Sequence, residues 1–354
     1  MTLEVVTVIA GGVAYPLWSA ISIDLGAEAV ARTASLVCAH PTAAFGEEIA
    51  LMPDVTVVVL AGGEPILTGY VRDTDPSFDE ASHIVNIGIV SKAVDAVEAS
   101  IEHETGRVEN ATLEEIARQL DPSGLAWQSD GSLPVEPWEQ AVPGASVWDT
   151  IESTARSRGI LVHDTAEGAV MMATKPEGRH AGGLAEGINI VSGDAHLTAR
   201  HRFDPVVVRG QASRGTGETA LRLEARASDP SVGRRRPRVI VGEFEATAER
   251  LKMRADWQVK RAAGRSAEAT VVVPGWRDAA GMLWRPNWLV PLTSPRLYLD
   301  QDMVIRSVQL VQDDGGTRAT LSLVDPRALG GENPQGESAP VWAVPRPKPQ
   351  IAAA

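Results

Sequence analysis

The sequence has almost no cysteine: Cys38 is the single cysteine among 354 residues. A single thiol cannot form a disulfide within the chain, and it excludes metal sites built from two or four cysteines. Cys38 lies in the strand-like run SLVCAH, where a small buried hydrophobic residue is favoured over a reactive nucleophile. The cysteine content is therefore compatible with assembly in the cytoplasm.

Long apolar runs are missing as well. Those near residues 55–61 and 269–273 are far below the roughly 20 residues of a membrane span, so no span is predicted. The first residues, MTLEVVTVIAGG, lack a basic segment followed by a long apolar stretch, so no secretory signal is predicted. Hydrophobic residues still make up 44%, enough for several cores, and the length indicates about two or three domains.

Positive charge is scarce, because the formal net charge is −13. Proteins that grip DNA through its phosphates are normally basic. An acidic surface favours solubility and repels DNA that only passes by. The charge balance therefore argues against tight DNA binding.

Sequence signatures of catalysis and metal binding are absent. The chain has neither a G-x-x-x-x-G-K-[ST] nor a G-x-S-x-G motif, and its seven histidines show no H-x-x-x-H spacing. The acidic run Asp73–Glu80 lacks the central glycine and the terminal glutamate of a calcium loop, so a solvated hairpin loop is favoured. We predict no catalytic residue, no metal site and no cofactor.

Residues 1–95 show short alternating or β-branched runs separated by turns, two of which are marked by GG pairs. Several strands at short intervals with tight turns indicate a barrel or a sandwich. The predicted strands are Thr2–Ala10, Tyr15–Leu25, Ala34–Ala39, Asp54–Leu60, Pro65–Asp75 and Ser82–Val90.

The middle of the chain has a different pattern. Thr112 and Glu115 predict a capping box at the start of a helix. A second helix is predicted at Ser146–Arg158, with Gly159 ending it. The runs ILVHD and AVMMATK then predict a hairpin, so this region is a small α/β module.

The last part of the chain is predicted to return to strands. The run VVVRGQ is one of them, residues 213–237 form a loop, and residues 244–263 form a helix. Later strands are predicted at Ala267–Val273, Trp288–Leu292, Val304–Gln312 and Arg318–Val324, the last two around the hairpin signal DDGGT. The Pro-rich and Ala-rich end predicts a flexible tail.

The only basic cluster precedes the predicted helix. No aromatic platform accompanies it, which weakens nucleic-acid binding as an interpretation. We favour a subunit interface, because arginine pairs well with carboxylates. The residues of this predicted interface are Arg234, Arg235 and Arg236 on one copy and Asp73, Asp75 and Asp79 on its neighbour.

Tryptophan is unusually frequent, with nine residues against four phenylalanines. Three of them crowd into GWRDAAGMLWRPNWLV. Indole is enriched in cores and in subunit contacts. Carbohydrate binding stays open as an alternative, but the interleaved glycines, proline and asparagine favour a structured loop before a strand.

The segment RADWQVKRAAGRSAEATVVVPGWRDAAGMLWRPNWLVPL resembles the C-terminal signature of Mu-like phage baseplate hub proteins. That family carries an R-A-x-W-E-x-x-R stretch, a G-W-R element and G-x-L-W-x-P-N. The matching residues are Arg254, Ala255, Trp257, Arg261, Gly275, Trp276, Arg277, Gly281, Leu283, Trp284, Pro286 and Asn287. Looser matches follow in order over nearly the whole chain, although residues 90–100 depart from the family's pattern.

The resemblance implies a β-rich α+β fold with two β-barrel-like domains and an α/β middle module. The implied domains are a first barrel at residues 1–97, the middle module at 98–187, a second barrel at 188–329 and a tail at 330–354. The run VVVRGQ would open the second barrel, and a helical excursion would occupy about residues 213–266.

The resemblance also implies a structural protein of the virion rather than an enzyme. Three copies would form a pseudo-sixfold ring that adapts the sixfold tail tube to the threefold central spike and leaves a channel for DNA in transit. The implied partners are further copies of this chain, the tube protein, the spike protein, other baseplate proteins and the tape measure protein, assembled in the host cytoplasm.

Two alternatives stay open: a hub-type cell-wall hydrolase, and a spike-like component of type VI secretion. A hydrolase needs an appended catalytic domain, whereas the hub pattern occupies nearly the whole chain. A type VI spike carries a β-prism extension, whereas this sequence ends in a short Pro/Ala tail.

Overall fold

The computed structural model describes residues 3–16, 18–40, 51–80, 83–210, 223–241 and 247–331. The strands of these residues form one large sheet and three small ones, so the β-rich α+β class is confirmed. Within the same residues, no helix has the length and apolar character needed to cross a membrane. The predicted tail beyond residue 331 and the predicted loop at residues 213–222 lie outside the described residues.

The N-terminal region is rich in strands, as predicted. Burial alternates along β1 and β5, as the two-residue period of a half-buried strand requires. The strands are β1 (Val6–Ala10), β2 (Val13–Tyr15), β3 (Ala20–Gly26), β4 (Thr33–His40), β5 (Thr56–Ala61), β6 (Glu64–Phe78) and β7 (His83–Ser91). A 3₁₀ turn at Lys92–Val94 and the short helix α1 (Asp95–Glu98) follow, in the segment that departs from the hub pattern.

The middle module has its own core and its predicted helix ends. The Thr112 backbone donates to Glu115 at 2.8 Å, and Gly159 ends the second helix with a φ of 72°. The elements are β8 (Arg107–Thr112), α2 (Leu113–Leu120), β9 (Trp127–Ser129), β10 (Val135–Gln140), α3 (Val147–Arg158), β11 (Leu161–Asp164) and β12 (Val170–Ala173). Leu113, Ile116 and Ile151 are fully buried between the helices and the strands.

The second half begins with short strands and then departs from the sequence prediction. The elements are β13 (Gly178–Arg179), β14 (Leu184–Ala185), β15 (Ser192–Leu197), β16 (Val206–Gly210), β17 (Leu223–Ala227), β18 (Arg238–Val241) and α4 (Ala248–Gly264). The strand predicted to open the second barrel, β16, instead pairs with β17 and β18 in a separate small sheet.

This small sheet packs against α4 around its own core. Leu251 and Ala255 of the helix are buried against Val208. One prediction here is wrong: β17 lies within residues 213–237, which were predicted to form a loop. A short strand with alternating charges such as LEARA gives a weak sequence signal, because most of its side chains remain partly exposed.

The remaining strands complete the large sheet. They are β19 (Ala267–Pro274), β20 (Trp288–Ser294), β21 (Leu299–Asp313) and β22 (Gly316–Val324), followed by a 3₁₀ turn at Pro326–Leu329. The predicted hairpin at DDGGT is confirmed, because β21 and β22 pair from Val304–Val324 to Asp313–Gly316.

The large sheet contains the same five-stranded arrangement twice. In the first half, β3, β4, β5, β6 and β7 pair in the spatial order β3-β4-β7-β6-β5. In the second half, β15, β19, β20, β21 and β22 pair in the order β15-β19-β22-β21-β20. All these pairings are antiparallel, and the chain visits the five positions in the same sequence. We call these two arrangements the first unit and the second unit.

The two units also share a local irregularity. The fourth strand of each unit is 15 residues long and is paired with a nine-residue fifth strand. Each of these pairs contains a bulge, at Arg72 in the first unit and at Arg306 in the second. A buried Val71 or Ile305 precedes the bulged arginine. Because a β-bulge bends and twists its strand, both units are expected to bend at this equivalent position.

The two units form one body, because β3 of the first pairs with β21 of the second. The pairing runs antiparallel from Ser307–Gly26 to Gln312–Ile21. One continuous core spans both units and includes the fully buried Ile23, Leu36 and Leu321. Burial of each such side chain contributes roughly 1.5–3 kcal/mol, so separation of the units would expose a large part of the core.

The close packing of α4 against the last 3₁₀ turn predicts the effect of one added methyl group. A Cβ at Gly264 would lie 2.1 Å from the Ala328 nitrogen. We expect Gly264→Ala to lower the free energy of unfolding by about 2 kcal/mol, through backbone displacement in a packed region. Gly131→Ala is the matched control, since that site is open, and we expect a change below about 0.5 kcal/mol. Urea titration of both variants measures this, and equal midpoints would contradict the packing.

Candidate functional site

The tryptophan-rich segment predicted from the sequence is a compact loop between β19 and β20. Gly275 and Gly281 adopt positive φ values of 79° and 81°, which glycine reaches without steric cost. Asn287 also has a positive φ, 60°, and is fully buried. The backbone nitrogen of Asn287 donates to the Ile305 carbonyl, and its backbone carbonyl accepts from the backbone nitrogen of Glu177. The loop is therefore fixed to the strands on one side and to the end of the middle module on the other.

Two of the tryptophans are core residues. Trp276 is 1% exposed and donates from its indole nitrogen to the Val311 carbonyl at 3.1 Å. Trp284 is 3% exposed, and its backbone nitrogen donates to the Trp276 carbonyl. Leu283 and Pro286 of the signature are buried beside them. Because both indole rings are covered, the structure speaks against sugar stacking at Trp276 and Trp284.

Arg277 connects the loop to the first unit. Its guanidinium contacts Glu4 at 2.7 Å and Glu64 at 3.0 Å, and it also donates to the carbonyls of Ala61 and Gly281. The hydrogen bonds with Glu4 raise the pKa of Arg277, and those with Glu64 act in the same direction. An arginine donates up to five such hydrogen bonds in a planar fork, which a lysine cannot do. Arg277 is therefore a side-chain tie between the two halves of the chain.

Asp278 holds the loop on the middle module through a buried histidine. The Asp278 carboxylate lies 3.0 Å from His180 Nδ1 and accepts from the amides of Ala181, Ala280 and Met282. Burial alone would raise the pKa of Asp278, but the hydrogen bonds from His180 and the three amides together lower it. These contacts join residues 180–181 to the loop at one carboxylate.

His180 is held as a neutral imidazole. Its Nε2 accepts from the Arg285 backbone amide at 3.2 Å, so Nδ1 is the nitrogen that carries the proton. Burial lowers the pKa of His180 below its ordinary value, and this outweighs the opposing effect of Asp278. The ring also packs against Trp284 and Trp288, with centroid distances of 4.7 and 5.1 Å.

The helical part of the signature lies elsewhere, on α4. Ala255 is buried against the small sheet, whereas Trp257 faces the middle module close to Gly159. The guanidinium groups of Arg254 and Arg261 lie 4.6 and 5.0 Å from the Trp257 ring, in cation–π geometry. The signature thus combines two separate structural sites.

A cleft of about 470 Å³ lies on this face of α4. Burial lowers the pKa of Arg254, and the nearby Arg156 lowers it further. Glu136 closes one end of the contact between α4 and the middle module, because it pairs with Arg158 at 2.6 Å and with Arg250 at 2.9 Å. Glu136 is 5% exposed, so this three-residue network is an internal one.

The residues of the predicted interface have different environments. Arg236 is used within the chain, since it donates to the carbonyls of Ala199, Arg200 and Arg202 and stacks on Phe203. Arg234 and Arg235 are exposed, as are Asp73, Asp75 and Asp79 on β6 and the residue after it. The structure of one chain does not bring these arginines and aspartates together.

The partners of the signature residues cannot be recognised from the sequence. Glu4 and Glu64 stand in no motif, and His180 is one of seven histidines without a metal-binding spacing. Glu4 is separated from Arg277 by 273 residues, so no local pattern connects them. Among the described residues, no group of three or more His, Cys, Asp or Glu side chains is arranged so that it could bind a metal ion.

Comparison with protein families gives two matches. Residues 247–332 match the family described as Mu phage baseplate assembly protein GpP, fourth domain. Residues 5–88 match the family described as Mu phage baseplate assembly protein GpP-like, N-terminal. The first match contains the whole tryptophan-rich loop, and the second contains nearly all strands of the first unit.

Comparison with individual proteins covers most of the chain. The chain is 25% identical to the baseplate hub protein gp44 of Escherichia phage Mu over 338 residues, which is 90% of this chain and 87% of that protein. The 43 kDa tail protein of prophage MuSo2 from Shewanella oneidensis is 30% identical, with a TM-score of 0.80 over 92% of this chain and 99% of that one. A tail protein from Neisseria meningitidis MC58, 18% identical with a TM-score of 0.76 over 94% and 100% of the two chains, shares the fold.

The contacts of Arg277 predict a large effect on stability. We expect Arg277→Gln to lower the free energy of unfolding by about 2 kcal/mol, because two carboxylates lose a charged, partly buried partner. Arg296→Gln is the matched control: its side chain is 89% exposed and pairs with Glu186 alone among the described residues, so the change should stay below about 0.5 kcal/mol. Urea titration compares the two variants, and equal effects would contradict a tie at Arg277.

The neutral His180 predicts loss of stability on mild acidification. Below the ordinary histidine pKa of 6.5, the unfolded chain takes up a proton that the folded chain does not. Stability should therefore fall as pH drops below about 6.5, with His180 contributing up to about 1.4 kcal/mol per pH unit.

His180→Gln removes this titration while an amide can still donate to Asp278 and accept from Arg285. We expect the stability of the variant to depend less steeply on pH between about 6.5 and 5 than that of the wild type. Urea midpoints at several pH values measure the two slopes. Identical slopes would show that His180 is not the buried neutral group.

Proposed function

Because the chain belongs to the family of Mu-like phage baseplate hub proteins, we propose that three copies form a ring between the tail tube and the central spike. As a member of this family it is a baseplate hub protein, a structural component of a phage virion. The finer role is our proposal: the ring adapts a sixfold tube to a threefold spike and leaves a channel through which DNA passes.

The duplicated sheet is the observation that supports this role best. Each chain carries two five-stranded units with the same strand order and the same bulge. Three chains would therefore present six similar units on the ring while keeping true threefold symmetry. A ring of this kind offers six equivalent contacts to a sixfold tube and three to a trimeric spike, which is what a symmetry adaptor needs.

The charge of the chain supports a channel for DNA in transit. The net charge of −13 would repel phosphates, so a passing duplex would not be held. DNA is accordingly proposed as a passing molecule and not as a bound ligand.

The proposed partners are further copies of the chain, the tube protein, the spike protein, other baseplate proteins and the tape measure protein. We propose assembly in the host cytoplasm before the particle is complete. The exposed Arg234 and Arg235 are proposed to contact carboxylates of a neighbouring chain. The middle module, with its own core, is proposed as the part that faces the spike.

The limits of the domains also remain a proposal. We propose a first unit within residues 1–97, a middle module within 98–187 and a second unit within 188–329, with the small sheet and α4 inserted between β15 and β19. The middle module and the inserted sheet have cores of their own, whereas the two units share one core. We propose that the signature residues have structural roles, because those of the loop fix the units to one another and those of α4 face the middle module.

Mass measurement tests the proposed ring. Analytical ultracentrifugation of the purified chain over a range of concentrations should give the mass of a trimer, and the chain should be present in purified particles. A stable monomer at the highest concentration, together with absence from the particles, would overturn the proposal.

A further inference from the structure

Two strand edges remain unpaired within the described residues. The strand β15 pairs with β19 on one side only. The end of β6 after its bulge, Asp73–Phe78, pairs with β7 on one side only, since β5 pairs with the earlier part of β6. Both segments are largely exposed. Such an edge presents a row of backbone donors and acceptors that can pair with another chain.

These two edges are equivalent, in the other unit, to the two edges that join the units within the chain. That contact is made by the first strand of one unit, β3, and the end of the fourth strand of the other, β21, after its bulge. The strand β15 is the first strand of the second unit, and the end of β6 is the end of the fourth strand of the first unit. The internal contact thus uses one of each kind of edge, and the other two have no partner strand among the described residues.

From these open edges we propose that β15 of one copy pairs antiparallel with Asp73–Phe78 of β6 in the neighbouring copy, repeating the β3–β21 contact between chains. The proposal rests on the trimeric ring of the proposed function and deepens it. A contact between two different edges is head-to-tail, and three such contacts close a ring when each relates neighbouring copies by one third of a turn. Around that ring, contacts within chains would alternate with contacts between chains.

The register of the contact follows from the two units. Residues that face one another across the first unit are Asp73, Gly88, Ser35 and Ser22, and those across the second unit are Ser307, Ser322, Thr270 and Asp194. Ser22 and Asp194 are therefore equivalent. Within the chain, Ser22 faces Val311, which is four residues after Ser307. Since Asp73 is equivalent to Ser307, the residue four positions after it, Ser77, would face Asp194. In an antiparallel pair His196 would then face Asp75.

The side chains on the two edges are compatible with this register. Asp75 would lie opposite His196, an acid facing a residue that can carry a positive charge. Phe78, which is 87% exposed, would lie opposite Gly193 and diagonal to the exposed Val191. An aromatic ring opposite a glycine can cover the exposed backbone, so the contact would bury apolar surface that is open in one chain. Pro76 brings no donor, which removes one bond from the ladder.

Cysteine cross-linking tests the contact and its register. The only native cysteine, Cys38, is buried, and burial raises the pKa of its thiol, so the background reaction is low. We expect the double variant Asp75→Cys with His196→Cys to form disulfide-linked dimers and trimers on mild oxidation, at least about tenfold faster than the out-of-register pair Asp73→Cys with His196→Cys. The single variants serve as controls, and the three substituted positions, Asp73, Asp75 and His196, are all exposed.

Failure of this inference and failure of the ring give different results. A wild-type trimer whose Asp75–His196 variant does not cross-link, or cross-links no faster than the out-of-register pair, overturns the edge pairing and leaves the ring standing. A wild-type monomer whose variant still cross-links in register at high concentration overturns the stable ring and supports the edge pairing. A monomer that does not cross-link overturns both.

Discussion

The antiparallel pairing of β3 with β21 is the contact on which the rest of the structure depends. It joins two five-stranded units into one sheet, and a single core continues across the junction. Each unit alone would expose an unpaired edge and a large apolar surface, which is costly in water. The ties made by Arg277 and Asp278 stabilise this arrangement, since they connect the loop before β20 to the first unit and to the middle module.

A fixed relation between the units gives the protein its proposed role. Two similar units held rigidly in each chain can repeat around a ring only if the angle within a chain matches the angle between chains. The β-bulges at Arg72 and Arg306 lie at equivalent positions, so both units are expected to bend at the same place and to meet their neighbours in a similar way. The buried Glu136 pairs with Arg158 and Arg250, which fixes the middle module to α4.

Local features of the fold could be predicted from the sequence. The capping box at Thr112, the terminal Gly159 and the hairpin at DDGGT each depend on a few neighbouring residues, and the structure confirms them. The burial of Cys38 is confirmed as well. These predictions succeed because backbone capping and turn geometry are determined over one or two turns of chain.

Other features could not be predicted, because they depend on residues far apart in the sequence. The partners Glu4 and Glu64 of Arg277 show no local sign of their role, and the duplication of the units is visible in strand order but not in residue identity. The strand β17 was missed because its charged, half-exposed residues give little periodic signal. The signature loop was found through a family resemblance, and the structure then showed which of its residues are core and which are ties.

The most direct test of this account is a cryo-EM map of the assembled baseplate that contains this chain. It should show six five-stranded units around the channel, three contacts of the β3–β21 kind within chains and three of the same geometry between chains. A map in which the units of different chains do not meet through β15 and β6, or in which only one unit of each chain reaches the ring, would contradict it.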